Sequence, residues 1–246
     1  MYYYYPTYFG FDYFLIGAAV IPAIILMIRV YKSDRLERES PAMLWRLVRA
    51  GIFSSLIALV LERISEMILN FTVSMESPLY NIILYFVIVA FSEEGAKYLL
   101  LNRRTWNSPE FNCQYDGVVY AVFVSLGFAM WENISYVLSF GFGTAIIRAL
   151  TAIPGHACFG VFMGVFYGIA RKYENLDRRK TARFFRVLAL ILPALLHGLY
   201  DYIATEDAKN YVFIGFVVIL FLVSYILVGK MSKTDQYITK RSWREL

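Results

Sequence analysis

Apolar residues along the chain gather into seven blocks separated by short polar stretches, at about 10–30, 48–70, 79–101, 116–139, 146–169, 186–204 and 211–229. Each block is near the ~20 residues that a helix needs to cross a hydrocarbon core of ~30 Å. The pattern predicts an all-α polytopic bundle of about seven transmembrane helices. Pro154 and Gly155 interrupt the fifth block and Pro193 lies in the sixth. Both prolines are tolerable where neighbouring helices satisfy the freed backbone groups. Glu62, Arg63 and Glu66 crowd one end of the second block and read as ordinary interfacial pairing.

Composition agrees, with 59% hydrophobic residues against roughly 45–50% apolar in soluble domains. Basic residues then set the expected orientation. They concentrate after blocks one, three and five and in the tail, whereas 71–78, 140–145 and 205–210 contain only Lys209. The N-terminus is expected outside and the C-terminus in the cytoplasm. The net charge of +5 follows mostly from this bias and requires no nucleic acid. "MYYYYPTYFG" lacks the basic region and cleavage signal of a secretory leader, and its tyrosines read as an interfacial belt. Cys113 and Cys158 suggest neither a disulfide nor a zinc-type cysteine motif. The expected organisation is a single transmembrane domain over 1–246, with its core at 79–204 and a cytoplasmic tail at 230–246.

Against that background the ionisable residues inside the blocks stand out. Block three holds Glu93, Glu94 and Lys97, block four Glu132 and Asn133, block five Arg148 and His156, and block six His197 and Asp201. Three lipid-facing charges would cost on the order of 8–10 kcal/mol, so Glu93, Glu94 and Lys97 are expected to face the bundle interior. Lys97 stands four residues from Glu93 and three from Glu94, a spacing that lets it partner either carboxylate. Asp201 follows His197 by four, where it can fix the tautomer of the imidazole. His156 shares a stripe with Ala152, Gly160, Gly164 and Gly168, so it is expected on a face that packs closely against other helices. Lys97 and Arg148 have an alternative reading as side chains snorkelling toward opposite surfaces. Asp116 reads as a helix cap.

At ~1.5 Å per residue, Glu132, His156 and His197 come out roughly 10–14 Å below the outer boundary and Glu93 about 20 Å below it. Tilt can close that gap, so four spans can converge on one polar site. Carboxylates and imidazoles in a protected cavity suit water activation, with a glutamate as general base and a histidine stabilising an oxyanion. His156, His197 and Glu132 form an alternative zinc ligand set. A proton- or ion-coupled transporter would bury the same residue types, but would be expected to show inverted repeats and paired broken helices.

"SEEGAK" (92–97), "YDGVVYAVFVSLGFAMWEN" (115–133), "GHACFGVFMG" (155–164) and "LHGLYD" (196–201) together resemble the PrsW family of intramembrane proteases. That family is related to the CAAX prenyl endopeptidase and Abi superfamily. The resemblance implies Glu93, Glu94, His156 and His197 as catalytic residues, with Glu132, Asn133, Asp201 and Lys97 supporting them. Zinc is a possible cofactor. The implied substrate is a single-span protein of a bacterial cell membrane, such as an anti-sigma factor whose first cut leads to release of its sigma factor. One departure is Lys97, which follows the pair after only Gly95 and Ala96. The superfamily usually has Arg after three intervening residues.

Overall fold

The computed structural model describes residues 9–205 and 210–238. Their helices are α1 (Phe9–Lys32), α2 (Pro41–Thr72), α3 (Pro78–Ile82), α4 (Ala90–Thr105), α5 (Asp116–Phe140), α6 (Phe142–Leu150), α7 (Ala152–Asn175), α8 (Arg179–Ala204) and α9 (Asn210–Lys233). A π-helical segment, Ile83–Val89, joins α3 to α4 without a break in helical backbone. Seven stretches are long and apolar enough to span a membrane, so the predicted all-α polytopic bundle is the fold. The tyrosine tract at 2–5 and the last eight residues of the predicted tail lie outside the described residues.

Several boundaries differ from those expected, for local reasons. Helix α2 begins seven residues before its apolar block, because the Ser40 hydroxyl accepts the Met43 N–H at 3.1 Å and Pro41 opens the helix. The fifth span is broken at Thr151 (φ −123°, ψ −68°), not at Pro154, and the turn at Gly141 (φ 83°) separates it from α5. Pro154 is the third residue of α7, where a missing N–H removes no intrahelical bond.

Helix α5 is the central element, packed against α1, α2 and α7, and every residue from Asp116 to Ala129 is buried. Its apolar character all round is what such a position demands. The small-residue stripe of α7 meets it closely: a Cβ at Gly164 would lie 2.5 Å from the Gly117 carbonyl oxygen. This contact puts His156, on the same stripe, toward the interior as its spacing predicts. A second close approach brings α8 against the π-helical segment, where a Cβ at Gly198 would lie 2.7 Å from Cδ1 of Phe86. His197 is thereby held beside the start of α4. Outward faces of α1, α2 and α9 present residues such as Ile25, Phe53 and Ile219, as lipid contact requires.

The basic connections meet at one end of the bundle. There the Ile238 N–H donates to the Asn112 carbonyl (2.7 Å) and the Gln114 N–H to that of Gln236 (3.1 Å). The Ser232 hydroxyl donates to the Ser33 carbonyl, and the Asn175 amide to that of Ile238. Cys113 and Cys158 are both free thiols. Asp116 does not cap its own helix. Its Oδ2 accepts the N–H groups of Asn112 (3.0 Å) and Cys113 (2.7 Å), tying down the preceding loop. The Tyr115 N–H is taken instead by Oδ1 of Asp235 at 2.8 Å, a partner from the other end of the sequence.

Candidate active site

Glu93, Glu94 and Lys97 share one face of α4, and all three are buried. Nζ of Lys97 lies 3.1 Å from Oε2 of Glu93 and 2.7 Å from Oε1 of Glu94. It also lies 3.1 Å from Nδ1 of His156 and 3.9 Å from the centroid of the Phe128 ring. Lys97 is therefore fully enclosed and does not snorkel. An ammonium has only protons to give, so Nδ1 of His156 accepts. The other nitrogen, Nε2, then donates to Oε2 of Glu132 at 2.8 Å.

His197 repeats this arrangement from α8. Its Nδ1 is 3.0 Å from Oε1 of Glu94 and 3.8 Å from Oε2 of Glu93, and its Nε2 is 3.4 Å from Oδ2 of Asp201. Each imidazole thus turns Nδ1 toward the α4 cluster and Nε2 toward a carboxylate. The two rings meet edge-on with centroids 5.3 Å apart, and Phe159 stacks on His197 at 4.7 Å. Four spans converge here despite the unequal depths counted from sequence.

Glu132 also pairs with Arg148, Oε2 to NH2 at 3.0 Å, while Nε of Arg148 donates to Oδ1 of Asn133 at 2.8 Å. Arg148 lies 4.0 Å from the centroid of the Tyr136 ring. It is held in the site, not extended to a surface. Asn133 completes a clamp by donating from Nδ2 to the Ala19 carbonyl at 2.8 Å, which ties α5 to α1.

A cavity of about 660 Å³ opens beside these groups, with Glu93, His156, His197, Glu132 and Asp201 on its wall. Its other wall reaches Phe140 and Thr205, toward the end away from the basic connections. Glu94 does not line it and is wholly enclosed. This separates the two glutamates, which sequence leaves equivalent. Glu62 and Arg63 both reach the same cavity, and Arg63 also forms a surface pair with Glu66 at 3.4 Å. The expected interfacial pairing therefore accounts for two of those three residues. A signal for Glu62 was present: Ser55, Leu59 and Glu62 recur at helical spacing and all three line the cavity. Phe159, three residues after His156, was legible in the same way.

One ligand atom from each of Glu93, Glu94, His156 and His197 falls within 4.8 Å of the others. Oε2 of Glu94 is buried with no hydrogen-bond partner. Two carboxylates, two imidazole Nδ1 atoms and one open lone pair are a donor set that suits zinc. Glu132 stands behind His156 and is not in this group.

Residues 39–228 match the model of the PrsW family intramembrane metalloprotease. The chain belongs to the PrsW family of intramembrane proteases. Among its relatives, Protease PrsW of Halalkalibacterium halodurans is 32% identical over 223 residues, covering 90% of this chain and 97% of that protein. Protease PrsW of Bacillus subtilis is 33% identical over 212 residues, covering 85% and 90%. That of Oceanobacillus iheyensis is 30% identical over 212 residues, covering 85% and 92%. No solved structure matches this chain. The PrsW family is one of membrane peptidases, which decides between the protease and transporter readings that residue types leave open. The chain is a multi-pass protein of a bacterial membrane.

Proposed function

We propose that the cavity is where this PrsW protein hydrolyses a peptide bond of a single-span membrane substrate, with Glu93 as general base. The carrying observation is that Glu93 lines the cavity beside two carboxylate-backed histidines while Glu94 is locked behind it. Glu93 takes a proton from water as the water oxygen attacks the scissile carbonyl carbon. In a metal-free reaction His197 donates an N–H to the developing oxyanion and Asp201 orients the ring. As a zinc ligand through Nδ1, His197 would keep its Nε2–H on Asp201 and give no hydrogen to the substrate. Glu93 then returns its proton to the departing amine as the C–N bond breaks. His156 is positioned by Glu132, and Glu132 by Arg148.

The family description as metalloproteases and the donor set together support a zinc site. Catalytic zinc takes three protein ligands; here Glu94, His156 and His197 would hold it, leaving Glu93 at the cavity. Zinc so bound would supply Lewis-acid polarisation and lower the pKa of water.

The basic end faces the cytoplasm by the positive-inside rule. The cavity then opens toward the outer side, which suits a cut near the extracytoplasmic boundary of a substrate such as an anti-sigma factor. The test is cleavage of a membrane-anchored, single-span anti-sigma factor by the purified protein in nanodiscs, with and without a strong chelator. Glu93→Gln and His197→Ala each lower the rate about 10²–10⁴-fold, with unchanged expression and melting within a few degrees. Full cleavage by Glu93→Gln would sink the assignment of the base, and indifference to the chelator that of the metal.

A further inference from the structure

Lys97 holds the donors that a metal ion would need. Its ammonium touches Glu93, Glu94 and His156 at 3.1, 2.7 and 3.1 Å, which are three of the four donors in the cluster. Nδ1 of His156 has one lone pair, and the Lys97 contact already uses it. The ammonium is wholly enclosed, with the Phe128 ring 3.9 Å away. A divalent ion bound by the same atoms would sit against a buried positive charge with no intervening water. Two cations in that space repel strongly, so the site accommodates one of them at a time.

We propose that Lys97 is a built-in cation that competes with the metal: its ammonium holds the glutamate pair and His156 together in the metal-free protein and leaves them when a divalent ion binds. The inference rests on the metal reading above and adds that the site is regulated by its own side chain. The ammonium satisfies carboxylates that would otherwise be buried, charged and unpaired, a costly state. This makes the empty site stable and sets a threshold for metal uptake. Lys97 is in this sense a residue that tunes the site without supplying a ligand.

The experiment is Co²⁺ and Zn²⁺ binding to the full chain in nanodiscs, read by competition with a chromophoric chelator and, for Co²⁺, by its visible absorption. Lys97→Met keeps an apolar stem of similar reach and removes the charge. It is expected to bind either ion at least ~10-fold more tightly than the wild type, or ~1.4 kcal/mol. Because Lys97→Met leaves two carboxylates buried, a second measurement uses the unaltered protein. Acetylation of Lys97 by a small amine reagent, followed by mass spectrometry of the peptide, is expected to rise several-fold when Zn²⁺ is added. Equal affinity in the wild type and Lys97→Met overturns the competition while leaving the metal site standing, as does Lys97 acetylation that Zn²⁺ leaves unchanged. No binding by either protein, with Glu94→Ala as the blank, overturns the metal reading and the competition with it.

Discussion

Two regions of this protein bury carboxylates, and they stabilise them in opposite ways. In the candidate active site each carboxylate packed around the two histidines has a cation or an imidazole beside it: Glu93 and Glu94 have Lys97, Glu132 has Arg148 and His156, and Asp201 has His197. At the basic end, Asp34, Glu39, Asp116 and Asp235 come together, and among the described residues no salt bridge reaches them. Asp116 and Asp235 accept backbone N–H groups instead. Burial and the neighbouring Glu110 and Asp34 carboxylates push Glu39 up to about 8. One region answers buried negative charge with positive charge, the other with backbone N–H groups at Asp116 and Asp235 and with burial that favours the protonated form of Glu39. Only the first keeps charged groups of both signs within reach of a cavity, which is what moving a proton onto and off a substrate requires.

The comparison breaks most severely if the cation of the first region is removed. Lys97→Ala leaves Glu93 and Glu94 buried without their shared partner, and the expected cost is about 3–5 kcal/mol. Thermal melting in detergent reads this as a large drop. Adding Glu94→Gln to Lys97→Ala is expected to restore much of it, because one uncompensated charge is then gone. A double variant no more stable than Lys97→Ala would mean that Lys97 acts by filling space.

Arg148 ranks next. Its Nε bonds Asn133 and its NH2 pairs with Glu132, so one side chain supports both the α1–α5 clamp and the carboxylate behind His156. Arg148→Met is expected to cost about 1–3 kcal/mol, the usual penalty for leaving buried polar partners unmade. Arg148→Lys restores charge without the fork that reaches two partners at once, so it is expected to recover only part of the loss. Cleavage of the membrane-anchored substrate is expected to fall alongside. Full recovery by lysine would reduce Arg148 to a point charge.

How these residues could be read before the fold was known differs between the two regions. Glu93, Glu94, His156, His197 and Asp201 announce themselves because charge and imidazole are costly in an apolar block, and i,i+3 and i,i+4 spacing already pairs Lys97 and Asp201 with their partners. The seven spans were legible for the same reason, since a bilayer imposes length and apolarity on every one. What one-dimensional spacing does not carry is rotation and depth. Whether Glu93 or Glu94 faced the cavity depended on the packing of α4 against α8, fixed by the contact of Gly198 with Phe86. Arg148 read equally well as a snorkelling residue, and only its pairing with Glu132 and Asn133 places it in the site. The acidic cluster at the basic end was illegible. Its outermost members, Asp34 and Asp235, lie about 200 positions apart in the chain, and nothing in the spacing of Asp34, Glu39, Asp116 and Asp235 brings them together.

That cluster also supplies the smallest and sharpest test of the contrast. Glu39 lies in the connection between α1 and α2, outside the spans, and burial raises its carboxyl to about 8 from an ordinary value of 4.5. Between those values the folded protein keeps a proton that the unfolded chain has released. Stability therefore falls as pH rises through the window and levels off above pH 8. From pH 6 to pH 7 the loss is on the order of 1 kcal/mol, or a few degrees in Tm. Asp34, raised to about 6 by burial and Asp235, adds a loss in the same direction below pH 6. Glu39→Gln carries its hydrogens at every pH and is expected to flatten the slope between pH 6 and pH 7 while leaving cleavage near wild-type levels. A Glu39→Gln protein with the wild-type slope would place the proton on another member of the cluster. A slope that rises with pH would mean that the cluster is charged and bound to a cation, and the contrast between the two regions would disappear.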